Sequence, residues 1–238
     1  MKKPNLKILL KISLVFNILL LIAISFLLYR SGYAVKVINM LTSSNSIASP
    51  ASNPQYQMRG SMFEFIPDSH TDVVFVGDSI TQNCNWNEFF LSYSIKNRGI
   101  GSDTTKGVLE RIDDVIRLKP VKVFLMIGVN DVRYGVDNDE VINNYKELFN
   151  VLRKSLPETE MYIQSILPTS DIKNNKKIEK LNSIIQQESK NHGFEYVNLY
   201  DDFVDENDVL KSNYTADGLH LMGDAYKVWI DKISKYLK

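Results

Sequence analysis

Five short apolar runs, each parted from the next by a segment of helical character, constrain this chain more than any other feature. DVVFVG (72–77) reads as a short buried strand, SIKNRG (94–99) as a weaker one and VKVFLMIG (121–128) as the strongest, and MYIQSIL (161–167) and EYVNL (195–199) follow. Segments near 86–92, 104–118, 138–155, 173–191 and 222–237 read as helices. In the second of these, Val108, Leu109, Ile112, Val115 and Ile116 recur at helical spacing. Thr104 or Thr105 caps its start, and Pro120 follows its end. Such alternation predicts βαβ crossovers and a parallel sheet with helices on both faces. Sheets of this kind take their ligands at the carboxyl ends of the strands. The residues just past each run are therefore the ones to search for chemistry.

The 238 residues suit one medium domain with an appendage. Basic and acidic residues number 28 each, yet they are unevenly placed. Seven of the basic ones precede Glu64, the first acidic residue, which leaves 21 basic against 28 acidic from there on, a net of −7. An acidic body without a basic stripe excludes nucleic acid as a partner. The single cysteine, Cys84, excludes an internal disulfide framework and a Cys-rich zinc site, and it reads as a buried small residue.

Residues 8–28 are apolar apart from Lys11, Asn17 and two serines, Ser13 and Ser25. As a helix they would reach roughly 31 Å, about the thickness of a bilayer's hydrocarbon core. Lys2, Lys3, Lys7 and Lys11 lie on the N-terminal side, which predicts a cytoplasmic N-terminus and an exported body. The expected organisation is a cytoplasmic tail and transmembrane signal anchor over 1–35, a linker or stalk over 36–66, and a folded domain over 67–238. The protein would then sit in the cell membrane as a single-pass chain with its domain outside. A cleaved signal peptide, ending at Gly32-Tyr33-Ala34, is the alternative, and it exports the domain as well. The Ser-, Asn- and Pro-rich stretch 43–61 motivates the stalk.

Four motifs follow the strands. Gly77-Asp78-Ser79-Ile80-Thr81 ends the first, where Ser79 either caps a helix or projects a hydroxyl at the carboxyl edge. Of the three histidines, His70 precedes the first strand and His192 ends a helix before the fifth, so both belong at the opposite edge. Only His220 follows the fifth strand. Asp217 stands three residues before it, a spacing that lets a carboxylate orient the imidazole. Gly128-Val129-Asn130-Asp131 ends the strongest strand, either as a plain turn or with the Asn130 amide aimed at a developing oxyanion. Asn97 to Thr105 ends the second, a Gly-rich turn whose backbone N–H groups are open to an anion. It lacks a Walker lysine pattern and G-x-G-x-x-G.

Together GDSIT (77–81), NRGIGSDTT (97–105), GVND (128–131) and DGLH (217–220) resemble, in order, the four blocks of the SGNH (GDSL-type) hydrolase family. The resemblance spans about residue 70 to 238. It implies a flavodoxin-like three-layer α/β/α sandwich with a five-stranded parallel sheet. It also implies Ser79 as nucleophile, His220 as base, Asp217 as its orienter and Asn130 as oxyanion donor, with no metal or organic cofactor. The family's oxyanion glycine stands directly before an aspartate. Here that position is Ser102, with Gly101 one earlier, so either backbone N–H is the candidate donor.

The implied activity is hydrolysis of carboxylic esters through an acyl-enzyme, with short-chain or O-acetyl glycan esters as substrates. A lysophospholipid or thioester acylhydrolase, an O-acyltransferase using the same site, and a non-catalytic glycan-binding module are the alternatives. An α/β-hydrolase is rejected, because Thr81 replaces the second glycine of G-x-S-x-G and the acid lies only three residues from His220. Trp86, Tyr134, Tyr214 and Met222 flank the motifs and are read as core residues or pocket lining.

Overall fold

In the computed structural model, the described residues are 10–20, 24, 53–67 and 69–237. The chain divides into two compact units, Met1–Ser46 and Ile47–Lys238. In the first, residues 10–20 and 24 are helical with exposed side chains. Among the described residues, no helix is long and apolar enough to cross a membrane. This corrects the expected transmembrane anchor, the single-pass cell-membrane placement, and the membrane as a partner. The remainder of 8–28 lies outside the described residues, as does the Gly32-Tyr33-Ala34 site.

The described part of the second unit opens on a helix within the stretch expected to be stalk. Helix α1, Pro54–Phe65, is capped by Asn53, whose side chain accepts from the Gln55 N–H, and it carries proline in its first turn. It buries Phe63 against the domain. Residues 36–52 of the expected linker lie outside the described residues.

The elements then run β1 (Val73–Gly77), α2 (Ser79–Gln82), α3 (Trp86–Phe89), β2 (Ile95–Gly99), α4 (Thr105–Glu110), α5 (Ile112–Arg117) and β3 (Lys122–Met126). They continue through α6 (Val129–Tyr134), α7 (Asn138–Ser155), β4 (Glu160–Gln164), α8 (Ile172–Asn191), β5 (Glu195–Val197), α9 (Tyr200–Phe203) and α10 (Gly223–Ile233). The five strands form one sheet in the order β2-β1-β3-β4-β5, all neighbours parallel. This is the flavodoxin-like order, whose topological switch point falls between β1 and β3. All five residues of β1 are buried, so both faces of the sheet are covered there.

One face carries an aromatic ladder. Phe75, Phe124 and Tyr162 are in register across β1, β3 and β4, with ring centroids 5.0 and 4.6 Å apart. Trp86 stacks on Phe75 at 3.8 Å, and Trp229 of α10 meets Trp86 edge-on. Trp86 is therefore core, not pocket lining. Elsewhere α7 buries Val141, Tyr145, Leu148, Phe149 and Leu152, a helical stripe. Asp137 caps its start, with acidic residues in the first turn and basic ones in the last, as the helix dipole favours.

Candidate active site

The four motifs meet at the carboxyl ends of β1, β2 and β3. After Gly77 the chain turns sharply into α2. Asp78 caps it, its Oδ1 accepting from the Ile80 N–H at 2.9 Å, so Ser79 occupies the first helical position. The Ser79 N–H is one of the helix's orphan donors. Its Oγ lies 2.9 Å from His220 Nε2. His220 Nδ1 lies 2.6 Å from Asp217 Oδ2.

The loop that carries this pair is closed by a bridge between Thr215 and Leu221. At Gly218 φ is +81°, and a Cβ there would come within 2.1 Å of Ser170 Oγ, so glycine is required between the acid and the imidazole. Asp217 Oδ1 also accepts from the backbone N–H groups of Leu219 and His220, at 3.0 and 2.8 Å. The hydrogen bond to the His220 ring, followed by the His220 N–H, holds the Asp217 carboxyl well below the usual carboxylate range. The other histidines lie elsewhere. His70 pairs with Asp72 at 2.7 Å, and His192 Nδ1 bonds the Glu188 carbonyl at 2.8 Å.

Asn130 is buried in α6, just past Gly128, whose φ of +122° turns the chain out of β3. Its Nδ2 donates to the Asp103 carbonyl at 2.9 Å, and Arg133 approaches its Oδ1 at 3.4 Å. These contacts fix the amide with one N–H left over. Across the switch point lies the β2–α4 loop. Gly101 donates its N–H to Gln82 Oε1 at 2.7 Å, so that donor is already engaged. Ser102 is exposed, and its N–H has no acceptor among the described residues. Its φ of +62° is in the left-handed region, which explains why glycine suits this position.

Three buried aspartates beneath these loops carry contacts that the motifs alone did not reveal. Asp131 accepts from the Thr105 N–H at 3.0 Å and from its hydroxyl at 2.6 Å, which ties the β3–α6 turn to the start of α4. Asp103 pairs with Arg111 at 2.8 Å, and Arg111 also donates to the Gly77 carbonyl at 3.2 Å. The one readable sign was a carboxylate in each of the first three motifs with no adjacent basic residue. Burial pushes Asp78 up to about 7 and Asp131 up to about 6. Burial also raises Asp103, against the pull of Arg111. Burial raises Cys84 to about 12, which removes it as a nucleophile.

A stability prediction follows from Asp78. Its folded pKa, about 7, exceeds the ordinary 3.8, so the unfolded chain gives up this proton at a pH where the folded chain keeps it. Stability tied to Asp78 is thus full below about pH 4 and is lost as pH rises towards 7. Asp217, shifted the other way, loses its contribution only below the usual carboxylate range and does not act in this window. Asp78→Asn keeps an acceptor for Ile80 and cannot titrate. It should stabilise the protein more at about pH 8 than at about pH 5, the difference being on the order of 1 kcal/mol or more. Equal denaturation midpoints for the two proteins at both pH values would refute this.

Comparison with known proteins agrees with this arrangement. The model of the GDSL-like Lipase/Acylhydrolase family matches residues 75–228. Platelet-activating factor acetylhydrolase IB subunit alpha2 of Gallus gallus is 27% identical over 168 residues, 67% of this chain and 72% of that one. The solved structure of a GDSL-like lipase from Bacteroides thetaiotaomicron is 26% identical with a TM-score of 0.68, covering 76% of this chain and 96% of its own. Another, from Streptococcus pneumonia and provisionally described as a platelet activating factor, is 28% identical with a TM-score of 0.72 and covers 87% and 99%. With the family match running from β1 into α10 and taking in all four motifs, the chain belongs to the GDSL-like Lipase/Acylhydrolase family.

Proposed function

We propose that this protein is a serine esterase that removes short acyl groups, acetyl foremost, from alcohols through an acyl-enzyme at Ser79. The observation that carries the reading is the contact of Ser79 Oγ with His220 Nε2 at 2.9 Å, the imidazole backed by Asp217 at 2.6 Å. In this reading Ser79 Oγ bonds to the ester carbonyl carbon while its proton passes to His220 Nε2. Asp217, kept ionised, stabilises the imidazolium. The charge that develops on the carbonyl oxygen is met by the N–H groups of Ser79 and Ser102 and by Asn130 Nδ2. Collapse breaks the bond to the alcohol, which leaves with the proton held by His220. Water then repeats the sequence, releasing the acid and restoring Ser79.

Two observations favour a short acyl group. The Gallus gallus relative is named an acetylhydrolase. A groove of about 730 Å³ that could hold a long chain is lined by Tyr56, Phe63, Arg111 and Asp114, between α1 and α4–α5, and contains neither Ser79 nor His220. The apolar Met222 and Tyr134, each more than two-fifths exposed, are the candidate walls beside the site. The test is a panel of acetyl to palmitoyl esters, with an O-acetylated glycan and a lysophospholipid, assayed on the whole chain. Turnover should be highest at acetyl and fall with chain length. A palmitoyl or lysophospholipid optimum would replace the short-chain reading with the lipid one, and transfer to an added sugar hydroxyl in preference to water would make the protein an acyltransferase.

A further inference from the structure

Helix α1 lies outside the stretch matched to the family, residues 75–228, yet it grips the loop that presents Ser102. Asn53 Nδ2 donates to the Gly101 carbonyl at 3.2 Å. Arg59 Nε donates to the Gly99 carbonyl at 2.6 Å. The Tyr56 hydroxyl donates to the Gly107 carbonyl at 2.9 Å. All three acceptors are backbone carbonyls of one stretch, 99–107, with Ser102 between them. The helix is itself anchored. Phe63 is buried with the Arg98 guanidinium 4.4 Å above its ring, and Arg117 donates to the Phe63 carbonyl at 3.0 Å. Its first turn also closes directly on the loop, since a Cβ at Gly101 would come within 2.2 Å of Gln55 Oε1.

Gly101 is therefore held from both sides, its N–H by Gln82 and its carbonyl by Asn53. The next residue, Ser102, sits at φ +62°, where a residue with a Cβ stays only if its surroundings impose it. An oxyanion donor must lie within a few tenths of an ångström of its place to act. We infer that α1 is a working part of the active site, with Asn53, Tyr56 and Arg59 as positioning residues that aim the Ser102 N–H at the oxyanion. This rests on the esterase reading above.

The experiment uses the whole chain with phenyl acetate and its thiono analogue, in which sulfur replaces the carbonyl oxygen and accepts hydrogen bonds poorly. Arg59→Ala should lower kcat on the oxoester by roughly tenfold or more with KM little changed, as expected for a donor that acts in the transition state. The preference for oxoester over thionoester should fall by about fivefold or more, because the thionoester never drew on that donor. Arg59→Lys, which retains a cationic donor, should recover most of the loss. Tyr56→Phe, and Asn53→Asp, which keeps the helix cap but loses the donor to Gly101, should act in the same direction and serve if Arg59→Ala does not fold. Folded variants with unchanged kcat, or with lowered kcat and an unchanged oxo/thiono preference, overturn the inference. If wild type and Ser79→Ala treat both esters alike, the esterase reading itself fails, and this inference with it. A Ser79-dependent wild type with unresponsive α1 variants overturns the present inference alone.

Discussion

Ser79→Ala is expected to lower kcat/KM on a short-chain ester by roughly 10⁴-fold or more while the protein remains folded. The size follows from the chemistry. In the proposed mechanism, without Oγ there is no acyl-enzyme, and what remains is water attack assisted by the oxyanion donors. The structural cost is small, because Ser79 is half-buried at the rim and loses a single side-chain contact, to His220. Thermal denaturation should therefore shift by only a few degrees. His220→Ala should cost a similar factor, and the double variant should be little worse than either single one, since nucleophile and base act as a unit. A decline below tenfold for Ser79→Ala, with the fold intact, would remove the serine from the mechanism.

Asn130→Ala should lose roughly 10²–10³ in kcat, with KM changed little, because in the proposed mechanism the amide meets charge that exists only in the transition state. A second effect is expected here that Ser79→Ala lacks. Asn130 Nδ2 also donates to the buried Asp103 carbonyl, so its removal leaves that acceptor unpaired, at a cost of about 1–3 kcal/mol. Denaturant midpoints and kinetics on the same preparation separate the two. A fall in kcat under about threefold would reject Asn130 as a donor, whatever the stability shows.

The sheet was legible because its central strands β1 and β3 are written as continuous apolar runs, with β2 a weaker one between turn residues. All five runs became strands within one residue at their starts, while the last three overran where the chain leaves the sheet. Helices α7 and α8 were readable for a related reason, their apolar stripes extending over several turns. The short helices α2, α6 and α9, of four to six residues, have no room for a period. Helix α1 was misread as stalk because the stretch 43–61, which takes in its first half, is rich in Ser, Asn and Pro and poor in large aliphatics. Its polar side chains are spent on backbone carbonyls about 50 residues away, which composition does not register. The Asn53-Pro54 cap was the available signal. At the other extreme, the apolar count over 8–28 predicted a membrane span, and among the described residues no helix is long enough to be one.

For the site, sequence order alone determined which residues could meet. Strand direction in a parallel sheet puts every strand's carboxyl end at one rim, so Ser79, Asn130 and His220 were placed on the same side once the runs were recognised, while the path from β5 back to β1 that closes the contact was set by the fold. Sequence order could not choose between the Gly101 and Ser102 N–H groups. That choice depends on a glutamine from α2 occupying one of them and a left-handed backbone exposing the other. Nor could it find the helix that holds this loop or the aspartates beneath it. Hydrogen bonds to backbone carbonyls, and burial that raises a carboxyl's pKa, depend on distances between segments remote along the chain, and only the folded arrangement sets those distances.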